Sequence, residues 1–73
     1  MGEPEQFFFN SEANLMKTFT EDRVRLPTEN LIKGHQFTHR GRRWEITKCG
    51  FLKDSRDRDL AVKVYVREVK DGK

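Results

Sequence analysis

The residues best suited to chemistry lie between Gly34 and Ile46, in the run GHQFTHRGRRWEI. Arg40, Arg42 and Arg43 surround Gly41, and Trp44 follows directly. A guanidinium is a planar fork that grips phosphate or carboxylate through paired hydrogen bonds and lies flat on a base or an aromatic ring. Arg40, Arg42, Arg43 and Trp44 are therefore expected to form a basic tip that meets an acidic surface or RNA. The alternative is a solvated turn whose charges keep a sheet edge from aggregating. Neither the aromatic signature of an RNA-recognition motif nor the glycine loop of a KH domain accompanies the tip. His35 and His39 are four apart, a metal spacing on a helix, but on a strand and turn they diverge and lack a third ligand. Cys49 is the only thiol and reads as a small hydrophobe. Ser11 and Ser55 have no adjacent histidine, and the five glycines are scattered rather than gathered into a phosphate cradle. The chain is thus expected to be no enzyme, with no catalytic residue, cofactor or metal.

A second feature is Phe7-Phe8-Phe9, preceded by Glu5. Three consecutive aromatics cannot all point inward from one strand. In one reading Phe7 and Phe9 complete the core while Phe8 covers the helix. In the other, Glu5, Phe7, Phe8 and Phe9 include a contact surface for a protein partner, since buried aromatics dominate interfaces as they do cores. The run Asp54-Ser55-Arg56-Asp57-Arg58-Asp59 alternates in sign and reads as a solvated linker, because exposed ion pairs contribute only about 0–1 kcal/mol.

These residues need a scaffold, and the patterning predicts an α+β fold. It is a small antiparallel sheet of three to four strands with one short N-terminal helix. The helix is expected over Glu12–Phe19, capped by Asn10 or Ser11, with Leu15, Met16 and Phe19 as its apolar stripe. Arg23–Leu26 alternates like a strand that Pro27 ends, and Thr28–Ile32 could form one more helical turn stopped at Gly34. His35–Thr38 and Arg43–Cys49 read as a hairpin around His39–Arg42, with Phe37 opposite Trp44 and with Trp44 and Ile46 facing the core. In the last strand Leu60, Val62, Val64 and Val66 share one face, while Ala61, Lys63, Tyr65 and Arg67 share the other.

Composition bounds the function. The 73 residues are 34% hydrophobic and 37% charged, 15 Lys and Arg against 12 Asp and Glu. One small domain, residues 1–73, is expected, with 1–6 and 70–73 as flexible ends. A domain of this size buries only about 60% of its unfolded surface, too little to build an enzyme around a deep pocket. Its longest apolar runs are three residues, far short of the roughly 20 that a membrane helix needs. A lone cysteine and the lack of a basic-headed apolar leader point to a reducing cytoplasm. The net charge of +3 is sorted along the chain. Residues 1–22 carry five acids and one base, residues 23–53 eight bases and two acids, and residues 54–73 six bases and five acids. An acidic start and a basic middle suit two partner surfaces, although charge also keeps a core-poor domain soluble.

In length, in its acidic aromatic start (Met1 to Phe9) and in its basic centre (Arg40 to Trp44), the chain resembles the small RNA-polymerase-binding transcription regulators of Xanthomonas phages. The resemblance implies a monomeric, non-enzymatic regulator in the bacterial host cytoplasm. Such a protein binds the two large subunits of host RNA polymerase, inhibits initiation by promoting sigma-factor loss, and supports antitermination with the host factor NusA. On this reading the aromatic N-terminal region docks on protein, while the arginine tip meets acidic protein or nascent RNA. Two other functions fit the same composition: a free-standing RNA- or DNA-binding small β-barrel, and a phage inhibitor of another host enzyme.

Overall fold

The C-terminal strand is the centre of the molecule, as its valine alternation requires. In the computed structural model, which describes residues 4–10 and 16–70 apart from the side chain of Asp59, four strands form one sheet. They are β1 (Glu5–Asn10), β2 (Gln36–His39), β3 (Arg42–Lys53) and β4 (Asp59–Val69), in the order β1-β4-β3-β2. The sheet is mixed rather than antiparallel. The β2–β3 and β3–β4 pairs are antiparallel hairpins, but β1 lies parallel to β4. The reason is topological: the β3–β4 hairpin leaves one edge of β4 open, and the Phe-rich segment fills it from far away in sequence. The sheet is also open, with β1 and β2 as its two edges, so the barrel of the alternative reading does not form.

Helix α1 spans Lys17–Glu21 and follows a strand instead of opening the fold. Of the expected Glu12–Phe19 helix, residues 12–15 lie outside the described residues, as does the expected cap Ser11; Asn10 ends β1, and Met16 is the N-cap of the described helix. The helix stops in a Schellman motif: Arg23 N–H bonds to Thr20 C=O at 3.1 Å, and Val24 N–H bonds to Phe19 C=O at 3.1 Å. Arg23 takes the left-handed position, φ 53°, that glycine usually holds there. That cap, not a strand, occupies the start of Arg23–Leu26. Leu26 is pinned instead by the buried Gln6 amide, which donates to its C=O at 2.8 Å and accepts its N–H at 3.0 Å. Thr28–Asn30 makes the expected turn as a 3-10 helix, and Gly34 lies beyond it at φ 94°. Glu5 opens β1, inside the stretch expected to be a flexible end.

The β2–β3 turn is tighter than expected. Arg40 and Gly41 alone connect the strands, at φ 53° and 76°, the positive values that a type I′ turn requires at both positions. Phe37 pairs with Trp44 as expected. Further along β3 the register slips between Ile46 and Lys48, so Thr47 is unmatched and the alternation changes phase. Cys49, not Lys48, then lies opposite buried Val64.

One sheet face carries the core: Phe8, Trp44, Ile46, Val62, Val64 and Val66, closed over by Phe19 and Leu31. Leu60 does not join its valines. A second register shift leaves it unmatched, and it is 55% exposed. The polar run after β3 is an ordered turn rather than a bare linker. Asp54 accepts the N–H groups of Arg56 and Arg58, both at 2.9 Å, and Arg58 Nε at 3.0 Å. The Arg58 N–H in particular holds the Asp54 carboxyl below the usual carboxylate range.

Candidate functional site

Strand alternation divides the expected site residues between the two faces of the sheet. Phe8 and Trp44 belong to the core, 2% and 7% exposed, and offer no surface to a partner. Phe8 points inward and its neighbours outward, the reverse of the reading in which Phe7 and Phe9 fill the core. Glu5, Phe7 and Phe9 lie on the opposite face, opposite Ala61, Lys63 and Tyr65 in the register. Arg43 shares that second face, whereas Arg42 stays on the core side, 3.6 Å from Glu68.

The arginine tip is largely satisfied within the chain. Asp22, just past α1, takes Arg40 Nε at 2.7 Å and a second guanidinium N–H at 2.8 Å. His39 Nε2 is also 3.0 Å from this carboxylate, though out of line for a hydrogen bond, and its ring packs 4.3 Å from Phe19. The Arg40 guanidinium holds the Asp22 carboxyl below its usual range, with His39 adding to the effect. A depressed native value means the pair stabilises the fold at neutral pH, and the gain is lost as pH falls through that lowered value. Asp22→Asn is therefore expected to lower the melting temperature slightly at neutral pH. The gap from wild type should close in strong acid, and an equal gap at both pH values would contradict this linkage.

The second face holds what sequence reasoning left unconnected. No described element packs on it; α1 and the chain through Leu31 cover the other side. Phe9 and Tyr65 stack across β1 and β4, ring centroids 5.3 Å apart, with Phe7, 38% exposed, two residues along β1. Lys48 Nζ lies 5.6 Å from the Tyr65 centroid, a cation–π distance, and Lys63 stands opposite Phe7 in the register. Arg67 is held by Glu45 at 2.6 Å. The alternation of β4 already grouped Lys63, Tyr65 and Arg67; only the parallel β1–β4 pairing brings Phe7 and Phe9 to them.

A third surface is the far end of the β3–β4 hairpin, which runs beyond the strands that flank it. β2 pairs with β3 only as far as Glu45, and β1 reaches β4 only at Ala61. On the stretch of β3 that β2 leaves uncovered, Phe51 and Leu52 are 40% and 47% exposed, and Leu60, beyond the end of the β1 pairing as well, is 55% exposed. The overhang contributes to an elongated outline of 48 × 23 × 22 Å.

Among the described residues, no three His, Cys, Asp or Glu side chains are placed to hold a metal. His35 stacks beside Phe37, and burial pushes the Cys49 thiol up, away from the thiolate a nucleophile needs. Comparison with protein-family models, with curated proteins and with solved structures gives no match.

Proposed function

We propose that this chain is a non-enzymatic phage regulator of transcription. On this reading it binds host bacterial RNA polymerase through its large subunits, inhibits initiation by promoting sigma-factor loss, and supports antitermination with NusA. The partner and its two effects come from the resemblance of the acidic aromatic start and basic centre. The observation that supports a docking role is the hairpin overhang. Phe51, Leu52 and Leu60 are all exposed near this end of the hairpin, Phe51 opposite Val62 on the core side of the sheet and Leu52 opposite Ala61 on the other. Large apolar side chains left exposed on an uncovered strand offer a contact surface, and aromatic anchors commonly dominate the energy of such surfaces. Beyond Ile46, β3 has no strand pairing on its β2 side among the described residues, so a partner segment could also add there as a strand.

The test uses purified Xanthomonas RNA polymerase, as core enzyme and as holoenzyme, captured on the immobilised chain. Wild type should bind both, release sigma from the holoenzyme, and raise terminator read-through in the presence of NusA. The double variant Phe51→Ala/Leu60→Ala removes exposed side chains only, so its circular dichroism should match wild type. Its affinity for polymerase should fall about 30-fold or more, the size of a hot-spot loss near 2 kcal/mol. A wild-type chain that captures neither form of the enzyme overturns the reading. Unchanged binding by the double variant removes the overhang from it.

A further inference from the structure

We infer that the open face of the sheet binds single-stranded nucleic acid, by stacking bases on Phe7 and Phe9, the latter backed by Tyr65, and by meeting phosphates with Lys48, Lys63 and Arg43. This goes beyond polymerase docking and uses a different surface from the hairpin overhang.

The face has both parts that single-strand binding requires. Sequence-tolerant proteins of this kind combine aromatic platforms, on which bases stack, with a basic surface that follows the backbone. Phe7 and Phe9 are two residues apart on β1, about 6.6 Å at strand rise. That is nearly twice the 3.4 Å base step, so bases on the two rings lie splayed rather than stacked on each other. Tyr65 on β4 backs the Phe9 ring through their 5.3 Å stack and holds it in place. The cations run along the same side. Lys63 faces Phe7 across the sheet and Gly50 on β3, Lys48 sits over Tyr65, and Arg43 pairs in register with Val69 at the far end. None of these three makes an ion pair among the described residues. Among the described side chains, opposing charge on this face is slight: Glu45 is taken by Arg67, leaving Glu5 at one end. At the β1 edge the face continues into a groove of about 190 Å³ whose lining includes Glu5, Phe7, Arg23 and Arg25.

The chemistry favours nucleic acid over protein as occupant. Lysine is depleted at protein interfaces while aromatics are enriched, so rings interleaved with lysines fit a polyanion that also carries flat bases. It favours single strands over duplex, because paired bases present no free face to stack.

The experiment is fluorescence anisotropy of the isolated chain, without polymerase, against labelled 12-nucleotide oligo-U RNA, 12-nucleotide oligo-dT DNA and a 12-base-pair duplex. Both single strands should bind more tightly than the duplex, and the RNA and DNA arms measure any preference between them. With three phosphates neutralised, affinity should fall roughly twentyfold between about 50 and about 200 mM salt. Phe9→Ala should weaken binding about tenfold, within the range for loss of one stacked base, and Tyr65→Ala should weaken it too by removing the support of the Phe9 ring. Should either fail to fold, Lys48→Glu/Lys63→Glu changes exposed side chains only and should abolish most of the binding. The inference is overturned if neither single strand binds at low salt, if the duplex binds as tightly, or if Lys48→Glu/Lys63→Glu binds as wild type. The first of these outcomes, with polymerase capture intact, removes nucleic acid from this face and leaves the proposed function standing.

Discussion

Phe8→Ala is expected to unfold the protein at growth temperature, whereas Phe7→Ala, one residue away, leaves the melting curve nearly unchanged. Phe8 is 2% exposed, opposite Val64 in the register, with its ring 4.8 Å from Phe19 and 6.2 Å from Phe37. Truncating a buried phenylalanine costs about 3–5 kcal/mol, the lost transfer energy plus the cavity left behind. At about 0.05–0.15 kcal/mol per residue a domain of this length holds only roughly 4–11 kcal/mol in all. One side chain thus carries about a quarter or more of the total. The loss should also release β1, because among the described residues parallel pairing to β4 is the only ladder β1 makes. Phe7, on the open face, gives up no enclosed volume. Urea melts followed by circular dichroism separate the two variants. A Phe8→Ala protein melting within a degree or two of wild type would put the core elsewhere.

The same pair of residues marks how far the sequence could be read. The β4 alternation and the β2–β3 hairpin were legible, because period two, a glycine turn and cross-strand aromatics are local signals. The inward side of Phe7-Phe8-Phe9 was not. It depends on which strand β1 pairs with, and that partner lies more than fifty residues away. The bulge at Thr47 was equally hidden: simple alternation from Trp44 and Ile46 would turn Lys48 inward, and one unmatched residue reverses the phase. Arg23 and Arg40 misled for a related reason. Both hold left-handed backbone positions that sequence reasoning reserves for glycine or asparagine. The Schellman bonds keep the first there, and the Asp22 clamp anchors the side chain of the second. As for the candidate site, its residue types were all visible, but grouping them by run (Phe7 to Phe9, Arg40 to Trp44) joined residues that a strand sends to opposite faces.

Phe19→Ala is expected to be as damaging as Phe8→Ala, although it lies on an element too short to be stable alone. A helix of five residues cannot offset its own nucleation in water, so α1 exists because the sheet holds it. Phe19 is the buried residue of that helix, 1% exposed, with ring contacts to Phe8, Phe37, His39 and Trp44 between 4.3 and 6.1 Å. Its perpendicular contacts with Phe37 and Trp44 add about 0.5–1.5 kcal/mol each to the burial itself. Removing the ring uncovers Trp44, the single tryptophan, so the change is readable without a label. Trp44 emission should shift to the red at temperatures where wild type remains blue, and the melt should fall by at least about 12 °C, the equivalent of 3 kcal/mol in a chain this short. Unchanged emission with an unchanged melt would mean that α1 is not what closes the core. Coupling between the two rings gives the sharper test. At a centroid distance of 4.8 Å the milder variants Phe8→Leu and Phe19→Leu share one contact, so the double variant should cost less than the sum of the singles by about 0.5 kcal/mol or more. Strict additivity would show that β1 and α1 are held independently. Less than additive loss means that the N-terminal strand and the helix dock on β4 as one unit, which leaves the other face of β1, with Phe7 and Phe9, rigidly presented to whatever binds there.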